Sequence, residues 1–311
     1  MCRVVDLRQA VLAKNDASAL ELREHLAARG TVEVNLLSSP GSGKTALLER
    51  LLSRAVAAGI AVAAITADLA TENDARRLAR AGAPVKQVLT DGLCHLEAGM
   101  LRGHLDGWLP RDTRVLFVEN VGNLVCPASY DIGESLRIVL GSVTEGEDKP
   151  LKYPTAFGLV HLVVITKTDI AEAVEFDGAA FHRHVRQVNP GVPVLETSAR
   201  TGAGVDELLA FVLAHADGAP VHRPVLARQH ERHLRHRHAD EDAHGPHEDR
   251  HGDQGHDLDL DLDLDQGLDQ GHDHGDDQGR VHGHGHSHGH SDDQGPGRPA
   301  PSAARGTAEA P

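Results

Sequence analysis

The sequence predicts an α/β fold in which a mostly parallel sheet is flanked by helices. Short, almost uninterrupted apolar runs alternate with helical segments across the first 217 residues, and such runs are typical of strands buried on both faces of a sheet. The sharpest polar motifs directly follow these runs. Ligands of parallel α/β sheets bind beyond the carboxyl ends of the strands, so the positions of the motifs agree with this fold class.

Each predicted element follows from hydrophobic period and boundary residues. A helix over 15–29 has Leu20, Leu22 and Leu26 on one side and ends before Gly30. A leucine-rich helix, Thr45–Ala58, comes next, and Thr71-Glu72-Asn73-Asp74 forms a capping box for a third. Further helices are predicted over 93–106, 177–188 and 204–216. The predicted strands are Val32–Leu37, Ile60–Ile65, Val85–Leu89, Arg114–Val118, Ile138–Val143, Leu159–Thr166 and Val192–Glu196.

Composition divides the chain near Gly218. Residues 218–311 carry nineteen acidic residues, nine arginines and no lysine, a net charge of −10, together with 16 of the 23 histidines. Because a highly charged segment with few apolar residues cannot offset the entropy of ordering, we expect a disordered tail over 218–311 after a domain over 1–217.

Charge and hydropathy exclude several classes of protein. A total net charge of −15 argues against a general nucleic-acid binder. The longest apolar stretch, Ala55–Ile65, is far shorter than the roughly 20 residues that cross a membrane. Charged residues interrupt the amino-terminal segment early, so no secretory signal is predicted. Three cysteines make a disulfide scaffold improbable, and the expected location is the reducing cytoplasm.

The segment SSPGSGKT, residues 38–45, predicts a phosphate-binding loop because it joins a strand to a helix. The backbone of Gly41, Ser42 and Gly43 is expected to turn its N–H groups around phosphate oxygens, aided by the helix N-terminus. Lys44 would reach the β- and γ-phosphates, and the Thr45 hydroxyl would hold Mg²⁺. Ser38 replaces the first glycine of the usual pattern. These features predict a P-loop NTPase.

Two later segments favour guanine over adenine as the bound base. In Thr166-Lys167-Thr168-Asp169, Lys167 would stack on the base and Asp169 would accept its N1 and N2 protons, as in GTPases, although Asn is the commoner first residue. A carboxylate only accepts hydrogen bonds, so it suits the donor edge of guanine and repels the acceptor N1 of adenine. Ser198 and Ala199, after the next strand, resemble the loop that backs the base. The predicted ligands are therefore GTP and GDP.

Two acids complete the predicted Mg²⁺ site. Asp68 follows the Ile60–Ile65 strand, and Glu119 begins Glu119-Asn120-Val121-Gly122, in the place of a D-x-x-G switch. The Gly122 N–H would bond the γ-phosphate and release it after hydrolysis. Either acid could instead cap a helix or lie in a solvated turn. No residue is clearly a general base, and Asp68 is our choice for orienting the attacking water.

Cys94, His95 and Cys126 form a candidate metal site. Thiolate and imidazole are the ligands that Zn²⁺ and Ni²⁺ accept, although ordinary buried thiols are the simpler alternative. Three ligands are one short of a closed tetrahedral site. Because Cys126 lies four residues after Gly122, we expect nucleotide state to open or close the metal site.

Six segments together resemble the HypB family, the GTPases of hydrogenase nickel incorporation: SSPGSGKT, TADLATENDARRL, DGLCHLEAGML, FVENVGNLVCPA, TEGEDKPLKYP and ITKTD. The resemblance covers about residues 15–216. It implies a GTPase that works with other hydrogenase maturation proteins to load nickel into the precursor of the [NiFe]-hydrogenase large subunit. It also implies a GTP-dependent homodimer that binds metal between subunits through Cys94, His95 and Cys126. Lys149 or Lys152 is expected to reach nucleotide across that interface.

The tail suggests a second kind of metal site. Histidines alternate with small residues over His282, His284, His286, His288 and His290. Such tracts bind metals through weak, exchangeable contacts, and the resemblance suggests nickel storage or delivery. A purely solvating tail is the alternative.

Three other functions remain open. A urease-type accessory GTPase would carry Cys-Pro-His, whereas Ala128 follows Cys126-Pro127 here. A passive nickel store would have a vestigial nucleotide site, against which Lys44, Thr45 and Asp169 argue. A nucleotide switch without metal is the third.

Overall fold

The described part of the chain contains a seven-stranded sheet in the order β3-β2-β4-β1-β5-β6-β7, in which all neighbouring strands are parallel. The structure is a computed structural model that describes residues 2–68, 73–90 and 92–227. The predicted fold class is therefore confirmed. The strands are β1 Val32–Ser38, β2 Val62–Asp68, β3 Val85–Leu89, β4 Val115–Glu119, β5 Leu136–Ser142, β6 Leu162–Thr166 and β7 Val194–Glu196.

Helices cover both faces of this sheet. They are α1 Cys2–Ala28, α2 Lys44–Ala57, α3 Asn73–Ala79, α4 Ala98–Leu105, α5 Lys149–Lys152, α6 Pro154–Gly158, α7 Gly178–Val188 and α8 Val205–Ala216. The elements α2, α3 and α8 pack on one face. On the other face, α1 and α4 pack together over β2 and β4, while α6 and α7 pack over β5 and β6.

The first helix is longer than predicted and turns two of its three predicted leucines inward. Its buried apolar positions are Ala19, Leu22 and Leu26, whereas Leu20 is 53% exposed. A period of 3.6 residues places 19, 22 and 26 on one side of a helix, and position 20 does not belong to that set. The prediction for Leu20 was therefore wrong.

The segment that carries Cys94 and His95 is a loop, and α4 begins only at Ala98. Thr90 closes a local turn, since its hydroxyl donates to the carbonyl oxygen of Leu93 at 2.6 Å and its own carbonyl accepts from the Leu93 N–H. The predicted helix over 93–106 was therefore too long at its start.

The two short helices α5 and α6 were not predicted. Pro150 and Pro154 lie in their first turns, where a missing N–H costs no helical hydrogen bond. They bring Lys149 to the end of the sheet at which β1 leaves for the phosphate loop.

The first residues of the predicted tail pack on the domain. The Ala219 N–H donates to the carbonyl oxygen of Ala214 at 2.9 Å, and His222 Nε2 lies 2.8 Å from Asn189 Oδ1. The side chain of Leu226 lies against Gly158. His282, His284, His286, His288 and His290 lie outside the described residues, so the tail and its boundary stay predictions. No helix in the described ranges is long and apolar enough to cross a membrane.

Candidate functional site

The phosphate loop lies at the carboxyl end of β1, as predicted. Gly41 and Gly43 have φ angles of 73° and 91°, which residues other than glycine rarely adopt. Together with Lys44 and Glu119 they line a cavity of about 310 Å³. A cavity of this size beside a helix N-terminus suits a phosphate chain.

Ser38 takes an active part in this loop. Its hydroxyl accepts a hydrogen bond from Lys44 Nζ at 3.0 Å and donates one to the carbonyl oxygen of Ser39 at 2.7 Å. The departure from the usual glycine therefore supplies an oxygen that holds the lysine at the cavity.

Thr45 and Glu119, two of the predicted Mg²⁺ ligands, are in direct contact. The Thr45 hydroxyl donates to Glu119 Oε1 at 2.7 Å, and Glu119 is only 4% exposed. Its other oxygen, Oε2, is buried and has no hydrogen-bond partner among the described residues. Burial raises the pKa of Glu119, while the nearby Lys44 ammonium lowers it. A hydroxyl beside an unpartnered carboxylate oxygen is a donor set that fits Mg²⁺.

The other predicted residues of this site are only partly described. Asp68 ends β2, but its side chain lies outside the described residues. Gly122 lies directly against the phosphate loop, because a Cβ atom there would meet Pro40 Cα at 3.3 Å. Asp74 and Arg77 also line the cavity. They were missed because α3 follows a loop whose path the sequence does not reveal.

A buried ion pair between Lys149 and Glu145 contacts the phosphate loop. Lys149 is 6% exposed and its Nζ donates to Glu145 and to the Ser39 hydroxyl. Glu145 Oε2 accepts from the Ser42 hydroxyl at 3.1 Å. Lys149 thus contacts the phosphate loop of its own protomer, whereas Lys152 pairs with Asp148 at the surface. The expected contact across an interface remains a prediction for both lysines.

Hydrogen bonds join the candidate base-recognition loop, residues 166–169, to the phosphate loop. The Thr166 hydroxyl donates to the Ser42 carbonyl oxygen at 2.6 Å, and Lys167 Nζ donates to the Gly41 carbonyl oxygen at 2.7 Å. Lys167 also lines a mainly apolar cavity of about 320 Å³, along with Asp169 and Ala199. Three of the four predicted contact residues therefore line one pocket, whereas Ser198 contacts Asp169 instead of lining the pocket.

Two neighbouring side chains hold the carboxylate of Asp169 in place. The Ser198 hydroxyl and Arg200 Nε both donate to its carboxylate, and these hydrogen bonds lower the pKa of Asp169. The ionised carboxylate would accept hydrogen bonds from the N–H groups of guanine, as the sequence predicts. Arg200 was missed as a partner because its role depends on the fold of the loop after β7.

The three candidate metal ligands are neighbours. The Cys126 thiol, as a hydrogen-bond partner, raises the pKa of Cys94, and the Asn123 amide acts in the opposite direction. His95 Nδ1 lies 3.8 Å from Cys94 Sγ. Both cysteines are free and partly exposed. Among the described residues no three His, Cys, Asp or Glu side chains already form a group that could hold a metal ion.

Aromatic stacking fixes His95 at this position. Its ring stacks on Tyr130 with 3.8 Å between centroids, and only 8% of the residue is exposed. His95 Nε2 is buried and lacks a hydrogen-bond partner in the described part of the chain, with Glu97 Oε1 3.6 Å away. An imidazole stacked on an aromatic ring beside the Cys94 thiol has the chemistry of a nickel or zinc ligand.

The segment 119–126 joins the phosphate loop to the candidate metal ligands Cys94, His95 and Cys126, called the metal-ligand group below. Ser38 and Asn123 form an isolated antiparallel bridge, and Asn123 Oδ1 accepts from the Val125 N–H at 2.8 Å. Cys126 follows directly. A rearrangement at Gly122 would therefore reach Cys126 through four residues of chain.

Comparison with known proteins places these features in context. Residues 33–196 match the family model described as "CobW/HypB/UreG, nucleotide-binding domain". Hydrogenase maturation factor HypB from Escherichia coli K12 is 42% identical over 210 residues, which cover 68% of this chain and 72% of that protein.

Two crystal structures are also similar. HypB from Helicobacter pylori in complex with nickel has a TM-score of 0.62 and 37% identity, covering 66% of this chain and 96% of that one. The hydrogenase maturation factor HypB from Archaeoglobus fulgidus has the same TM-score and 36% identity, covering 66% and 100%.

Proposed function

Because this chain belongs to the HypB branch of the CobW/HypB/UreG family, we propose that it is a GTPase that delivers nickel during the maturation of [NiFe]-hydrogenase. Its partners would be other hydrogenase maturation proteins and the precursor of the hydrogenase large subunit, in the cytoplasm, with no role for nucleic acid or membrane. The observation that carries the proposal is the segment 119–126. Glu119, the first residue of this segment, accepts a hydrogen bond from Thr45 at the phosphate cavity. Cys126, the last residue of the segment, lies beside Cys94.

Hydrolysis would rest on positioning and charge. Lys44 and the backbone N–H groups of the phosphate loop would stabilise the transferring phosphoryl group, and Asp169 would select guanine. Thr45 and Glu119 would hold Mg²⁺, which neutralises phosphate charge when bound. No general base is needed, because phosphoryl transfer depends mainly on orientation and electrostatics.

Nickel would be the cargo of this reaction. Cys94, His95 and Cys126 would bind Ni²⁺ or Zn²⁺, and a second subunit paired in the GTP state would supply the missing ligands. Loss of the γ-phosphate contact at Gly122 would shift Cys126 and open the metal site. The histidines of the tail would hold further nickel weakly. The ordered Lys44, Thr45 and Glu119 arrangement supports turnover over passive nickel storage.

The test compares nucleotide turnover and metal release in one preparation. We expect hydrolysis of GTP but not ATP, a shift to a dimer in gel filtration with a non-hydrolysable GTP analogue and Mg²⁺, and a nickel affinity that differs between the GTP-analogue and GDP forms. A variant with both Cys94→Ala and Cys126→Ala should still hydrolyse GTP but lose that difference. Equal nickel affinities in the two nucleotide states of the unchanged protein would contradict the coupling.

A further inference from the structure

The side chain of Asn120 connects the phosphate cavity to the loop that carries Cys94 and His95. It lines the cavity, directly after Glu119, and only 1% of it is exposed. Its Oδ1 accepts from the Val121 N–H at 2.9 Å and from the Leu96 N–H at 3.4 Å. Leu96 immediately follows His95. One buried amide thus contacts both the switch-like segment and the metal-site loop.

Hydrogen bonds among buried side chains fix the orientation of this amide. Asn120 Nδ2 donates to Asn35 Oδ1 at 3.3 Å, and Asn35 is a fully buried residue of β1. Asn35 Nδ2 in turn lies 3.4 Å from Glu134 Oε1. Because these donors and acceptors follow one direction, the Asn120 carbonyl oxygen points towards Leu96 rather than away from it.

The two halves of the metal-ligand group therefore attach to the same segment by different means. Cys126 is joined to Gly122 through the chain itself, whereas Cys94 and His95 are joined to it through the Asn120–Leu96 hydrogen bond. The Cys94 side chain also contacts Asn123 and Cys126. Without the Asn120–Leu96 bond, however, the backbone next to His95 would lose its hydrogen bond to the segment 119–126.

We infer that Asn120 is the positioning residue through which the Cys94–His95 loop responds to the bound nucleotide together with Cys126. This inference rests on the proposed function and names the residue on which its coupling depends. Two sites are coupled when both favour one of two arrangements of a shared structural element. The buried Asn120–Leu96 hydrogen bond would make the metal-site loop part of the same element as the segment 119–126.

Asn15 provides a matched control. It lies on α1, accepts from the Ala98 N–H at 3.0 Å, and donates to the Asp131 carbonyl oxygen at 2.7 Å. Like Asn120, it is a buried asparagine that anchors the loop before α4. Among the described residues its side chain hydrogen-bonds to Ala98 and Asp131 and not to the segment 119–126, so it holds the loop without linking it to nucleotide.

The experiment measures nickel affinity in two nucleotide states of the full-length chain. All proteins carry Cys2→Ser, so that thiolate-to-nickel charge-transfer absorption reports only Cys94 and Cys126, because the histidine tail contains no thiol. Each protein is titrated with Ni²⁺ against a competing chelator, once with GDP and once with a non-hydrolysable GTP analogue, both with Mg²⁺. The variants are Asn120→Ala, Asn120→Ser and Asn15→Ala. The serine side chain is too short to reach Leu96 but disturbs packing less, and GDP binding confirms that each variant is folded.

We expect the unchanged protein to show at least about a fivefold ratio between its two nickel dissociation constants, the lower end of usual allosteric coupling. Both Asn120 variants should lower this ratio clearly below that of the unchanged protein, because Cys126 would then respond to the nucleotide without the backbone of the Cys94–His95 loop. Asn15→Ala should weaken nickel binding in both states and keep the ratio.

Three outcomes would overturn the inference. If both Asn120 variants keep the ratio of the unchanged protein, the coupling runs elsewhere and the proposed function stands. If Asn15→Ala lowers the ratio as much as the Asn120 variants do, any loosening of the loop has the same effect and Asn120 has no special role. If the unchanged protein already shows a ratio of one, the coupling in the proposed function fails and the inference fails with it.

Discussion

The hydroxyl of Thr166 donates a hydrogen bond to the carbonyl oxygen of Ser42 at 2.6 Å. Thr166 is the first residue of the candidate base-recognition motif, where asparagine is commoner, and Ser42 lies in the middle of the phosphate loop. The hydroxyl at this position joins the two loops, together with Lys167. The residue at which the motif departs from the usual asparagine therefore has a structural role beside the pocket.

Removing this hydroxyl should weaken nucleotide binding. Thr166→Val keeps the shape of the side chain but leaves the Ser42 carbonyl without its donor, at a cost of about 1–3 kcal/mol for an unsatisfied buried group. We expect GDP and GTP-analogue affinities to fall by about tenfold in a fluorescent-nucleotide titration. Thr166→Ser keeps the donor and should remain near the unchanged protein. Equal losses in both variants would assign the effect to packing instead.

Base selection should follow the carboxylate of Asp169. In Asp169→Asn the amide oxygen can still accept one hydrogen bond from guanine. The amide NH₂ group, however, is a donor that would face a second N–H donor of guanine. We expect GDP affinity to fall by at least about tenfold, since a site built for hydrogen bonds rejects a mismatched edge strongly. Xanthosine diphosphate, which carries an oxygen acceptor at that edge, should bind the variant better than GDP. Unchanged GDP affinity would remove Asp169 from the guanine site.

Glu33 should make stability depend on pH. It is fully buried in β1, neither carboxylate oxygen has a hydrogen-bond partner among the described residues, and burial together with Glu134 raises its pKa well above the ordinary value. From about pH 4.3 upward the unfolded state loses this proton while the folded state keeps it. The folded state then binds more protons, so the free energy of unfolding falls as pH rises towards the raised pKa.

The matching variant is Glu33→Gln, which is neutral at every pH. Urea unfolding should show it to be more stable than the unchanged protein at pH 8 by more than about 1.4 kcal/mol, the value of a one-unit pKa shift. The two proteins should converge near pH 4. Glu24→Gln, an exposed change on α1, should reproduce the pH dependence of the unchanged protein. A constant difference between Glu33→Gln and the unchanged protein at all pH values would contradict the assignment.

Elements whose bounds depend on the local residue pattern could be predicted from the sequence. Features that depend on contacts between distant residues could not. The bounds of β3, Val85–Leu89, were correct, because an apolar run between turn residues defines a buried strand. The start of α4 was wrong because the loop before it is held by Asn120, 24 positions along the chain. The contact of Lys149 with Ser39 spans 110 positions, and no periodicity in either segment reveals it.

Truncation should separate the tail from the domain, and the packing of residues 219–226 decides where to cut. A chain ending at residue 227 keeps His222 against Asn189 and Leu226 against Gly158. We expect it to retain GTP hydrolysis while binding fewer nickel ions in equilibrium dialysis, because fifteen of the sixteen tail histidines are removed. A chain ending at residue 217 leaves the buried Asn189 without that partner. It should lose about 1–3 kcal/mol of unfolding free energy on top of the same nickel loss. If the chain ending at residue 227 no longer hydrolysed GTP, the division between a nucleotide-binding domain and a metal-binding tail would be wrong.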